Sequence, residues 1–258
     1  MSTSYFNIVV KSLLKKSHKI YSWDQIWTIV QTILEDQYND SKLYKIIYQL
    51  KNRWYLISIK KDLYYIKNAK DIYDPDTLLQ TYYRPYLYRH CQQYVAWFWY
   101  IWWLKALQIM VHNLEILNNI LIVTGDKQSQ ELILIDKYIT TKSYTSKKKP
   151  LLKQFKPFTV SCAIQGKKMH RAWLELALLE SLYNYDITHQ SYIIEFIKKI
   201  LSKYHKQIDY DVLTHIIKLW KHHTSLNRLY VLSKYIDETC TNKLALIIKQ
   251  YSYFITVS

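Results

Sequence analysis

The sequence predicts an α+β chain: an N-terminal winged helix-turn-helix, a mixed α/β region after it, and a helical C-terminal subdomain. Three observations carry this expectation. Residues Ser41 to Ile66, SKLYKIIYQLKNRWYLISIKKDLYYI, change from a helical to a strand-like hydrophobic period within one stretch. The three segments before and within it are short and separately patterned, as a small helical domain requires. From His170 to the end the apolar spacing is helical throughout. With 258 residues, 50% of them hydrophobic, the chain has room for two ordinary domains with real cores. The expected division is 1–70 for the winged domain and 71–258 for the remainder, mixed over 71–166 and helical over 167–258.

Tyr5 to Lys16 reads as a first helix, with Phe6, Val9, Val10, Leu13 and Leu14 on one face, and Lys19 to Tyr21 as a short strand. Ser22 followed by Gln25 has the form of a capping box, from which Ile26, Ile29, Val30 and Ile33 continue a second helix. Asp40 or Ser41 is expected to cap the third, whose buried stripe is Leu43, Ile46, Ile47 and Leu50. Two β-prone runs then flank Lys60-Lys61-Asp62, a link short enough for a hairpin. Asn68 to Pro75 reads as a linker and Asp76 to Tyr83 as a short helix stopped by Pro85. Strands are expected at Asn119 to Thr124, Glu131 to Tyr138 and Phe158 to Ala163. Lys142 to Lys156, with its six lysines, reads as a solvated loop, with a second phosphate-contacting patch as the alternative. Five helices should follow His170.

The charge narrows the function classes. Lys and Arg outnumber Asp and Glu by 36 to 20, a formal charge of +16, which favours a polyanionic partner. On the third helix, Ser41, Lys42, Lys45 and Gln49 face away from the apolar stripe and would enter a major groove of double-stranded DNA. Lys60 and Lys61 at the hairpin tip, with Lys51 and Arg53, would lie on phosphates. The same pattern also fits an amphipathic helix and hairpin in any small α+β domain.

Glycine is nearly absent. Only Gly125 and Gly166 occur, where average usage of about 7% would give roughly 18, and nine tryptophans stand beside that shortage. Trp54 falls at a helix-to-strand turn; Trp97, Trp99, Trp102 and Trp103 crowd one stretch. We hypothesise that the gene uses a code in which UGA means glycine and that UGA is rendered here as tryptophan; UGG at most of the nine codons would overturn this. The stretch Tyr94 to Val111 then changes from an 18-residue apolar run, barely a membrane span, into a strand, a glycine turn and a helix.

No catalytic constellation stands out, and no enzyme activity, cofactor or metal is expected. Gly125-Asp126 with the single Asp136 lacks the paired carboxylates of a nucleotidyltransferase. His222-His223 point apart on a helix and have no carboxylate or cysteine at metal-ligand spacing; His112, His170 and His215 are isolated. Cys91, Cys162 and Cys240 form no disulfide framework, and no signal peptide is visible, so a reducing cytoplasm is the expected location.

In order along the chain, NRWYLISIKKDLYYI, YIWWLKALQI from Tyr100, WLELALLESLY from Trp173 and LWKHHTSLNRLYVLSKYI from Leu219 resemble the motifs of the antitoxin of AbiE-type (type IV) toxin–antitoxin systems. Asp62 stands where that family usually has glycine. Glu175 and Glu180 match its acidic positions, whereas Leu176 replaces its arginine. The resemblance implies a cytoplasmic antitoxin that binds operator DNA and represses its own operon. It also implies a co-encoded nucleotidyltransferase-like toxin, countered with or without direct contact. The family's glycines align with Trp54, Trp102 and Trp103, and Trp173 joins the candidate glycine positions. Two other classes remain: a nucleic-acid-processing enzyme sited in the central region, and a protein-interaction module with a degenerate winged helix.

Overall fold

Ser22 accepts a hydrogen bond from the Gln25 N–H (3.3 Å) while the Gln25 side chain accepts one from the Ser22 N–H (3.0 Å). This reciprocal pair satisfies donors that a helix start leaves open, and it begins α2 (Trp23–Leu34) where the sequence places it. The computed structural model describes residues 5–15, 20–35, 39–53, 55–67, 75–94, 98–113, 115–116, 118–124, 131–135, 137–143, 145–146, 149–164, 166–183, 191–220 and 223–251. Expectations at the 68–74 linker, Trp54, Trp97, Gly125, Asp126, Asp136 and His222 lie outside these residues. The fold is mixed α+β, and the chain divides into two units: Met1–Tyr86 with Leu132–Tyr138, and Leu87–Glu131 with Ile139–Ser258.

In the first unit, α1 (Tyr5–Leu14) and β1 (Ile20–Ser22) precede α2, followed by α3 (Asp40–Asn52), β2 (Leu56–Lys60) and β3 (Leu63–Ile66). The strands form an antiparallel sheet in the order β1-β3-β2, with Tyr21 opposite Tyr64 and Leu56 opposite Ile66. Val9, Leu13, Ile26, Val30, Leu43, Leu50, Leu56 and Ile66 fill the space between helices and sheet, each 3% exposed or less. The α3 stripe is buried as its spacing requires. Its cap is different: Asn39, not Asp40 or Ser41, accepts from the Lys42 N–H at 2.8 Å. Asparagine at N-cap reaches the N3 donor equally well, so one residue of sequence position decides the start.

Pro85 does not end a helix. A helical turn at Pro75–Leu78 (α4) passes through a π turn at Leu79–Tyr83 directly into α5 (Arg84–Tyr94). A π turn widens the hydrogen-bond ladder just where proline has no N–H to donate, so the helix continues past it.

In the second unit, β4 (Trp99–Ile101) leads into α6 (Trp103–Met110) and β5 (Asn119–Thr124). The expected strand over Glu131 to Tyr138, of which Leu132–Tyr138 belong to the first unit, is two strands, β6 (Glu131–Leu134) and β7 (Lys137–Ser143), separated at Ile135, whose φ of 50° breaks the extended backbone. The lysine-rich stretch is more than a loop. It holds β8 (Thr145–Ser146), β9 (Lys149–Pro150) and α7 (Leu151–Phe155), with Leu152 and Phe155 buried in the core.

After β10 (Thr159–Ile164) comes an element that the sequence pattern does not announce. Residues Lys167–Ala172 form β11, so helix begins only at Leu174 rather than at His170. β11 pairs antiparallel with β10 from Thr159↔Ala172 to Ile164↔Lys167, around Gly166 at φ 73°, a conformation glycine adopts without steric penalty. It also pairs parallel with β4 through Arg171↔Ile101. β10, β11, β4, β5 and β7 are successive neighbours in this sheet.

Helices α8 (Leu174–Tyr183), α9 (Ser191–Tyr204), α10 (Tyr210–Trp220), α11 (His223–Ser233) and α12 (Glu238–Gln250) complete the unit. α8 is its axis, with every residue from Leu174 to Leu182 buried. A helix buried on all sides lies inside a bundle, not at its surface. The two carboxylates it buries are held. Glu180 accepts from the Tyr100 hydroxyl at 2.7 Å and the Trp103 N–H at 3.1 Å; Glu175 accepts from the Asp209 N–H at 2.8 Å. Among the described residues, no helix is long and apolar enough to cross a membrane.

Candidate nucleic-acid interface

The third helix presents two outward rows. Its apolar side, Leu43, Ile46, Ile47 and Leu50, is fixed against the core, which turns Ser41, Lys42 and Lys45 outward, all exposed, with Gln49 half-buried beside them. Lys51 and Arg53 are exposed at the far end of the helix. At the hairpin tip Lys60 is half-buried and Lys61 exposed, and Asp62 makes the turn at φ 59°. Asp62 therefore occupies a left-handed position of the kind glycine takes most readily, and Asp is among the few other residues that tolerate it.

Lys51 and Arg53 are held against aromatic rings. Lys51 Nζ lies 4.7 Å from the centre of the Tyr64 ring and donates to the Tyr64 hydroxyl at 3.4 Å. The Arg53 guanidinium sits 4.6 Å from the centre of the Phe6 ring, on α1. Such stacking fixes a long side chain in place and leaves its charge available at the surface.

The second outward row is aromatic, and in sequence it reads only as filler. Tyr44 and Tyr48, four residues apart on α3, are 62% and 65% exposed. Neighbouring on one face, two such exposed rings make a patch rather than a single exposed side chain. With Lys51 they recur at i, i+4 and i+7, a spacing visible in sequence once the buried stripe is subtracted. Together with Trp23, Ile47, Asp62 and Tyr64 they line a cleft of about 550 Å³. The Trp23 ring lies tilted 5.7 Å from Tyr44 and 6.3 Å from Tyr64, and its backbone N–H donates to the Asp62 carbonyl at 2.9 Å, tying the start of α2 to the hairpin turn.

The remaining candidates are dispersed. Trp99 and Trp102 are buried on and beside β4, and Trp173 is 38% exposed ahead of α8. Trp103, the first residue of α6, has φ 64°. His170 is half-buried against Phe98, and burial with Lys168 and Lys156 nearby lowers its pKa. His215 packs edge-on against Phe158. Among the described residues no group of three or more His, Cys, Asp or Glu is placed to hold a metal ion. The thiols are free, and Cys91 is so buried that its pKa is pushed up to about 12.

No family model matches the chain, and no curated protein matches it. Among solved structures it is similar to the crystal structure of the RV2827C protein from Mycobacterium tuberculosis, with a TM-score of 0.53 and 10% identity, over 99% of this chain and 83% of that one. At that identity the likeness concerns the fold alone.

Proposed function

We propose that the first unit is a winged helix-turn-helix that binds double-stranded operator DNA, and that the chain is the antitoxin and transcriptional autorepressor of a type IV toxin–antitoxin operon. The observation that carries this reading is the exposed row Ser41, Lys42 and Lys45 on α3, in the same unit as the basic hairpin tip Lys60-Lys61. A recognition helix beside a β-hairpin with basic tips is the arrangement that places side chains in a major groove and the hairpin on adjoining phosphates. The net charge of +16 supplies the attraction.

In this reading the protein is not an enzyme and works in the cytoplasm. Its second unit counters a co-encoded nucleotidyltransferase-like toxin, as the four ordered motifs imply. The test is a binding isotherm on DNA from upstream of its own gene against scrambled DNA at several salt concentrations. Preference of about 10³-fold or more supports the repressor. Equal, salt-labile binding to both removes it.

A further inference from the structure

We propose that the cleft between α2, α3 and the β2–β3 turn is a nucleobase pocket, which takes an unpaired guanine from a bound DNA strand. The inference rests on the nucleic-acid reading of the first unit and assigns it a second mode of contact, separate from the basic row on α3.

Three features of the cleft select this ligand. It is lined by aromatic residues: Tyr44 and Tyr48 are mostly exposed, and Trp23 lies 5.7 Å from Tyr44. Ring faces accept the π surface of an unstacked base. The Trp23–Tyr44 spacing is too tight to admit a base between those two rings, so the base lies on the outer face of the pair. The second feature is Asp62, an acidic residue among those lining the cleft of a basic protein. A carboxylate repels a phosphate and accepts from base N–H groups. Guanine offers two parallel donors, N1–H and N2–H, that match both carboxylate oxygens; thymine offers a single N–H. The third is Lys51, whose ammonium is already held at Tyr64 at the edge of the cleft. There it meets the phosphate that accompanies a flipped nucleotide. At about 550 Å³ the cleft has room for a base and its sugar.

The experiment uses the full chain and fluorescence anisotropy on three duplexes of one sequence: fully paired, with one bulged guanine, and with one bulged thymine. The guanine bulge is expected to bind about tenfold more tightly than the paired duplex, the scale of one base–aromatic stack, and the thymine bulge to gain less. Tyr44→Ala brings the guanine-bulge affinity down to that of the paired duplex measured with the same variant, while Tyr44→Phe keeps the difference. Asp62→Asn, which suits the left-handed turn, makes the two bulges equal. Equal affinity of the unaltered chain for paired and guanine-bulged duplex overturns the pocket while leaving duplex binding intact. Absence of binding to all three overturns both the pocket and the DNA reading.

Discussion

The backbone N–H of Trp103 donates to the buried Glu180 carboxylate at 3.1 Å from a residue whose φ is 64°. Glu180 thus sits at the positive end of α6, a favourable place for a carboxylate, but the chain reaches it through a conformation that bulky L-residues avoid. The left-handed region costs roughly 1–2 kcal/mol for such a residue, and glycine escapes that penalty. Removing the Trp103 ring opens a cavity costing about 3–5 kcal/mol, the larger effect, so any truncation lowers stability. The order of truncations is the informative part. Trp103→Gly should be more stable than Trp103→Ala by about 1 kcal/mol in denaturant melts, the reverse of the usual helix ranking. An alanine variant equal or superior to glycine would remove the case for glycine at this position.

Asn39 supplies the cap of α3. Asn39→Ala should lower the stability of the first unit by about 1 kcal/mol, whereas Ser41→Ala should have little effect. Urea titrations followed by circular dichroism separate the two, and comparable decreases would mean that the cap is shared.

Replacing Lys60 and Lys61 with Ala should weaken binding to every duplex. The slope of log affinity against log salt should fall by roughly one to two, near 0.9 for each phosphate that is no longer neutralised. An unchanged slope would show that the hairpin tip does not face DNA.

Burial raises the Glu175 carboxyl above the usual carboxylate range, with the Asp209 N–H opposing the shift. A folded-state pKa above the unfolded one means that the folded protein holds this proton more tightly. Its contribution to stability is complete below the unfolded value and is lost as pH rises through the folded one. Glu175→Gln keeps an acceptor for the Asp209 N–H without the charge. Its melting temperature should therefore exceed that of the parent at neutral pH, and the difference should close as pH falls through the carboxylate range. A difference independent of pH would count against ionisation as the cause.

Much of the first unit is legible in the sequence because its signals are local. The Ser22–Gln25 box, the α3 stripe and the Lys60–Asp62 link each act within a few residues, and short-range geometry fixes them. The misses are cases where distant chain decides. β11, KKMHRA, has no strand-like apolar alternation, and only its pairing with β10 and β4 makes it extended. Pro85 reads as a stop until a π turn opens ahead of it. At the candidate interface, charge marks the lysines, whereas Tyr44 and Tyr48 are hidden among 26 tyrosines because nothing local marks an aromatic side chain as exposed.

β4 has a consequence for synthesis. Its Ile101 pairs with Ile122 on one side and with Arg171 on the other. The first neighbour leaves the ribosome soon after it; the second lies 70 residues downstream. At about 5–20 residues per second, one edge of this apolar strand stays unpaired for roughly 4 to 14 s. Chains that stop before β11 keep that edge open permanently, so truncated products should collect as aggregates rather than as a smaller folded protein.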